Sequence, residues 1–172
     1  MQIQQIMAYI MAVVFLCAAS LVQAGGNYRV EAVNNQLYQD DCGFCHFAYQ
    51  PGLLPTRSWR KVMGNLADHF GENAELDETD RQALLTYLEK NSADNSSSYL
   101  SRKVMRSLTR KGAVIQISKL GFMAHEHDEI PRRVFTGDLQ GLTNCNACHQ
   151  QAEQGSYNER DIKIPGYGRW DD

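Results

Sequence analysis

Two pentapeptides, Cys42-Gly43-Phe44-Cys45-His46 and Cys145-Asn146-Ala147-Cys148-His149, repeat one pattern, C-x-x-C-H, at distant positions in a 172-residue chain. Whatever these paired thiols and adjacent imidazoles hold, the rest of the chain has to wrap. Two thiols three positions apart can each form a thioether to a vinyl-derived carbon of a haem, and the next residue, His, then reaches the iron from the same side. A four-thiolate zinc site is compatible with the 100 residues that separate Cys45 from Cys145, but zinc gives no reason for a histidine after each pair. Thioredoxin-like redox chemistry wants a C-x-x-C beside a βαβ unit, which the sequence lacks, and a disulfide within each pair leaves both histidines unexplained. The pattern therefore reads as covalent attachment of two haem c groups through Cys42, Cys45, Cys145 and Cys148, with His46 and His149 as proximal iron ligands.

Composition narrows the setting. A formal charge of -3 argues against a nucleic-acid partner, and a mean hydropathy of -0.45 excludes a polytopic membrane protein. Residues 1–24 contain no charged side chain, and Val22, Gln23, Ala24 and Gly25 place small residues where a secretion peptidase cuts, so 1–24 is expected to be a signal peptide cleaved after Ala24. Residues 1–5 carry no Lys or Arg, which keeps an uncleaved membrane anchor as the alternative, since the apolar run is about the minimum for a span. Cys17 follows the bulky Phe15 and Leu16, unlike a lipoprotein cleavage box, and leaves with the signal. Export places the mature chain in an oxidising compartment, where bare thiols pair unless something holds them. Membrane contact then arises only through a partner or an uncleaved signal.

Periodicity predicts short helices joined by polar loops. Trp59, Val62, Leu66 and His69 share one face of a helix expected over 58–70, with Gly71 as its stop. Asp77 with Asp80 announces a second helix whose buried stripe is Leu84, Tyr87 and Leu88 and which ends near Asn91. Residues 91–98, N-S-A-D-N-S-S-S, read as a linker between a first-haem half, about 25–90, and a second-haem half, about 99–172, of one domain spanning 25–172. Leu100, Val104 and Leu108 give another amphipathic helix, and 113–117 alternate weakly as a short strand. The fold class is mainly α, a small, helical, loop-rich wrapper whose thin core the cofactors complete. Leu53, Leu54, Trp59, Val62, Leu66 and Phe70 are expected to line the first haem, and Phe122 and Met123 the second.

A six-coordinate haem needs a second axial ligand, His or Met in electron carriers. The spare histidines are His69, His125 and His127, and the mature methionines are Met63, Met105 and Met123. His69 lies 23 residues after His46 on an apolar face; a lone His there is commonly a core residue, but the haem's need for a partner makes it the candidate, with Met105 as its competitor. In the second half the order reverses, with His125 and His127 preceding His149. Residues i and i+2 point in different directions on a helix, so one of the two is the ligand, and the pattern leaves open which.

The chain resembles the small periplasmic dihaem cytochromes c. The resemblance rests on C-G-F-C-H-F-A-Y-Q-P-G-L-L-P-T-R-S-W (42–59), L-A-D-H-F-G-E-N-A-E-L-D (66–77), H-D-E-I-P (127–131) and C-N-A-C-H-Q-Q-A-E-Q-G (145–155), blocks spread over nearly all of the mature chain. It implies bis-histidine ligation, with His46 and His69 on the first iron, and it favours His127 with His149 on the second, because H-x-E-I-P belongs to His127. This sequence departs by adding His125 and by placing Phe122 and Met123 where an aromatic precedes the ligand at another offset. The resemblance implies an electron carrier and not an enzyme, passing electrons between a membrane cytochrome b and a small soluble haem protein. The alternatives are a haem peroxidase or small-molecule reductase with one five-coordinate iron, and a haem-based redox or gas sensor. The exported protein is expected to have the mass of residues 25–172 plus two haems; mass spectrometry that finds residues 1–24 retained would show an anchor instead.

Overall fold

The structure, a computed structural model, describes residues 27–108, 112–136, 139 and 141–170. The expected signal peptide, residues 1–24, lies outside them. No helix among the described residues is long and apolar enough to cross a membrane.

Among the described residues five short α-helices carry the fold: α1 (Gln36–Cys42), α2 (Thr56–Met63), α3 (Glu78–Lys90), α4 (Tyr99–Ser107) and α5 (Gly121–Glu126). Each of α1, α3 and α4 begins where a short polar side chain takes up an orphan backbone N–H. Asn35 accepts from Tyr38 at 2.9 Å, Asp77 from Asp80 at 3.0 Å, and Ser98 from Ser101 at 3.2 Å. Helices α2 and α3 pack together over Leu84 and Leu88, both 0% exposed, while Trp59 Nε1 donates to the Pro51 carbonyl at 2.8 Å. Leu53, Leu54, Leu100, Val104, Leu120 and Ala152 continue one core across both halves of the chain.

Three expectations need correction. The helix expected over 58–70 stops at Met63, because Gly64 caps it and Asn65 turns the backbone away (φ -142°, ψ 49°). Leu66 and His69 therefore do not continue the face of Trp59 and Val62. The weak alternation over 113–117 forms no strand; Ile117–Lys119 is a 3₁₀ turn. Residues 91–98 do not act as a loose connector. Ser92 and Ala93 are buried, Ala93 N–H donates to Leu54 O at 2.9 Å, and the Asp94 carboxylate accepts from the Thr56 N–H at 2.9 Å, supplying α2 with an acceptor for its first turn. The sheet the sequence did not announce is a two-stranded antiparallel ribbon, β1 (Lys163–Ile164) and β2 (Gly168–Arg169).

The stretch just before α1 ties the ends of the chain together. Arg29 pairs with Ser156 in an antiparallel bridge, Val30 N–H donates to Gly155 O at 2.9 Å, Tyr157 N–H donates to Tyr28 O at 2.8 Å, and Leu100 N–H donates to Arg29 O at 3.2 Å. Gly155 permits this approach. Its φ is +71°, and a Cβ there would stand 2.1 Å from the Val30 carbonyl oxygen. Gly166 has a similar φ of +78° with open space around it. In denaturant unfolding of the holoprotein, Gly166→Ala should cost about 1 kcal/mol from conformation alone, and Gly155→Ala about 3 kcal/mol or more, because a close backbone contact is also lost. Equal costs would mean that the 28–30 stretch does not pack as described.

Candidate functional site

Cys42 is the last residue of α1, and the turn that follows presents Cys45 and His46 to solvent. The His46 Nδ1 lies 2.8 Å from the Phe47 carbonyl, and since a carbonyl only accepts, Nδ1 carries the proton and Nε2 keeps its lone pair for a metal. His69 comes from a tight turn, not a helix face. His69 N–H donates to Glu72 O at 2.7 Å and Glu72 N–H returns to His69 O at 3.3 Å, with both central residues at positive φ, Phe70 at 58° and Gly71 at 101°. A type I′ turn has that requirement, and a bulky Phe in the left-handed region is uncommon. The Asp68 carboxylate accepts from Gly71 N–H at 3.1 Å and steadies it. The outcome is that the His46 and His69 rings face one another, centroids 6.1 Å apart and planes within 21°.

The second site is assembled differently. Cys145–Ala147 form a 3₁₀ turn, His149 N–H donates to Cys145 O at 2.9 Å, and the backbone of Cys148 and His149 is held by the C-terminal segment through Lys163 N–H to Cys148 O at 2.9 Å and a bridge between His149 and Ile162. His127 sits at the C-terminal end of α5, where its Nδ1–H donates to Met123 O at 2.8 Å and leaves Nε2 free. The His127 and His149 rings lie 6.0 Å apart with planes at 77°. His125 points elsewhere: its side chain is 81% exposed and stands 3.4 Å from the Asp128 carboxylate. Of the two histidines the sequence left open, the structure brings His127 to His149.

Both imidazole pairs have the spacing of ligands across a metal. A nitrogen about 2 Å from the metal and about 1.1 Å from its ring centre puts trans rings about 6 Å apart. Electrostatics favours the same form. Burial, and then the His127 charge, push the His149 pKa down to about 4, and burial, followed by His46, lowers that of His69. The lowering favours the neutral imidazole that binds metal at His149 and His69. Buried Nδ1 of His149 has no hydrogen-bond partner, which a buried polar atom seldom tolerates. Around this pair lies a cavity of 260 Å³ lined by Phe122, Met123, His127, Cys145, Cys148 and Tyr157 among others, so the residues fit a large, mostly apolar group anchored to both cysteines. Burial pushes the Cys42 and Cys145 thiols up to about 12, Cys42 with a further contribution from Asp41, which keeps them protonated. Among the described residues no group of three or more His, Cys, Asp or Glu is arranged to hold a metal ion.

Expected lining residues divide. Phe122 and Met123 do border the second cavity. Leu53, Leu54 and Trp59 are buried in the general core, with Val62, Leu66 and Met105 packed against it. Phe70 is 48% exposed, its ring edge-on to His69 at 4.7 Å. Two residues escaped the sequence reading. Tyr49 and Tyr157 each lie 5.2 Å, ring to ring, from a proximal histidine, His46 and His149 respectively. Only the short offset of Tyr49 from the first motif hinted at either.

Comparison with known proteins agrees with this geometry. The family model described as dihaem cytochrome c matches residues 38–157. A dihaem cytochrome c from Rhodobacter sphaeroides is 36% identical, with a TM-score of 0.67 over 74% of this chain and 100% of that one. A dihaem cytochrome c from Shewanella baltica OS155 is 34% identical, with a TM-score of 0.65 over 80% of this chain and 98% of its own. A search of the curated proteins finds no match. The chain belongs to the dihaem cytochrome c family. It is a haem-binding cytochrome of mainly helical fold that carries two haem c groups with their iron, and its C-x-x-C-H cysteines are present for covalent attachment. Replacing Cys145 and Cys148 together by Ser should leave a protein whose mass shows one haem in place of two; a mass still showing two would place the second attachment elsewhere.

Proposed function

We propose that this chain is a periplasmic electron carrier with two low-spin, bis-histidine haems. His46 and His69 hold the first iron, His149 and His127 the second, and Cys42, Cys45, Cys145 and Cys148 form the thioethers. The observation that carries this reading is the matched pair of imidazole spacings, 6.1 Å and 6.0 Å, each beside a C-x-x-C motif. When bound, each haem supplies a one-electron iron couple. With two imidazoles to hold each iron, four in all, no position would be left for a substrate, and each haem would exchange electrons without a bond being made. The Phe47 and Met123 carbonyls hold the rings of His46 and His127 by accepting their Nδ1–H.

The two environments are unequal, and this supports a direction. His46 is exposed, whereas His149 backs onto Tyr157 and its Nδ1 is shut from water. Burial disfavours the more highly charged ferric state, so the second site has the higher potential and electrons run from the first site to the second. Entry at the first site suits its surroundings. Phe44, 88% exposed, stands between the two cysteines, and residues 27–98 hold eleven acidic against six basic side chains. A redox partner with a basic docking surface fits that face. The family resemblance supplies the candidates, a membrane cytochrome b and a small soluble haem protein.

Spectroscopy separates this reading from a haem enzyme or sensor. Aligned imidazole planes split the iron π orbitals, and crossed planes leave them nearly degenerate. The ferric protein should therefore show two low-spin electron paramagnetic resonance signals, a rhombic one from the 21° pair and a strongly anisotropic one from the 77° pair. The reduced protein should not bind carbon monoxide, and uptake of carbon monoxide by the unmodified protein would establish an open site. His127→Ala should turn one haem high-spin and abolish the anisotropic signal, while His125→Ala should leave both signals in place; the reverse result would reassign the ligand.

A further inference from the structure

The two tyrosines set against the proximal histidines form a reciprocal pair. Tyr49 belongs to the first half, lies 5.2 Å from the His46 ring, and donates its hydroxyl to the Thr143 carbonyl at 2.5 Å, two residues before Cys145. Tyr157 belongs to the second half, lies 5.2 Å from the His149 ring, and donates its hydroxyl to Gln50 Oε1 at 2.6 Å, one residue after Tyr49. Each proximal ligand is thus backed by a ring whose hydroxyl is bonded into the opposite half. The crossing is rigid. Gln50 is 0% exposed and its Nε2 donates onward to Ala152 O at 2.5 Å, Tyr157 is 8% exposed, and the Tyr38 hydroxyl holds the Tyr49 carbonyl at 2.8 Å. A fully buried glutamine tying two halves through both ends of its amide costs desolvation that a plain packing contact would avoid.

We propose that Tyr49, Gln50 and Tyr157 are the electronic bridge between the two haem sites, an inference that rests on His46 and His149 being the proximal ligands. Tunnelling decays less steeply through covalent and hydrogen bonds than across van der Waals gaps. The route His46, Tyr49, Gln50, Tyr157, His149 contains ring contacts only at its two ends, and the Tyr49 to Thr143 bond adds a parallel branch toward Cys145. One electron leaves the reduced iron of one site, which is oxidised, and arrives at the oxidised iron of the other, which is reduced. No bond breaks and no proton moves, and both tyrosines stay neutral phenols throughout.

The test uses the holoprotein carrying Tyr157→Phe, Tyr49→Phe or both, since Phe keeps each ring and removes only the bonded hydroxyl. Laser-flash reduction by a single electron, followed as that electron redistributes between the two haems, gives the exchange rate. Equilibrium potentials, low-spin spectra and thermal midpoints are measured on the same samples. The bridge predicts exchange slowed several-fold by Tyr157→Phe, whose hydroxyl lies on the route, less by Tyr49→Phe, which removes only the branch toward Cys145, and most in the double variant, with both potentials and both low-spin signals unchanged. Tyr167→Phe, an exposed tyrosine outside the route whose hydroxyl accepts only from Arg133, should exchange at the parental rate. A lowered thermal midpoint with an unchanged rate would overturn the bridge, leaving the tyrosines as structural ties and the electron-carrier reading intact. High-spin iron in the parental protein would overturn both.

Discussion

In the ligation proposed above, two imidazoles face each other about 6 Å apart, on opposite sides of a flat group that one of them helps to anchor. Most of the architecture serves that geometry, twice. Each proximal histidine is tied to its cysteines within five residues, so its position is largely local, and the work of the fold is to return a distant segment at the right distance. The first site returns His69 on a turn whose two central residues adopt left-handed backbone, and the second returns His127 at the end of a short helix. These are unlike mechanical elements. The turn is exposed and bends sharply at Phe70 and Gly71, whereas α5 packs against α4 and is tied to it by Lys103, whose ammonium contacts Glu126 at 2.9 Å and lies over the Tyr28 ring at 4.5 Å.

The halves that carry these sites are halves in sequence more than in space. Leu100 and Val104 enter the same core as Leu53 and Leu54, and Gln50 reaches both Tyr157 and Ala152. Charge is nevertheless polarised along the chain, since residues 99–172 hold eleven basic and nine acidic side chains while the earlier part is strongly acidic.

The haem motifs were legible because their chemistry depends on residue type at short, rigid spacing. Helix α3 was legible for a related reason: Asp77 and Asp80 mark its start and Leu84 and Leu88 its buried face, all within one element. His69 is more instructive. The sequence made it the candidate partner of His46 because a haem needs a second ligand, and placed it on a continuous helical face, whereas Gly64 and Asn65 end that helix and a left-handed turn delivers the ring instead. Local pattern identified the residue and missed the path. Residues 91–98 looked like a linker because Ser, Asn and Asp are common in loops, yet those side chains bond the start of α2 and the end of α3. Tyr49 and Tyr157 stayed hidden, since what matters about them is a contact between residues 107 or 94 positions apart, which no window along one chain reveals.

The first stretch of described chain, at Tyr28 to Val30, has its backbone partners at Leu100 and at Gly155 to Tyr157. A polypeptide made from its N-terminus therefore cannot complete its structure in instalments. The ties to Gly155 and Tyr157 can form only after the second C-x-x-C-H and the segment behind it have been added. Both motifs are on the chain before those last ties are made, so haem can be attached to each while that stretch is still open.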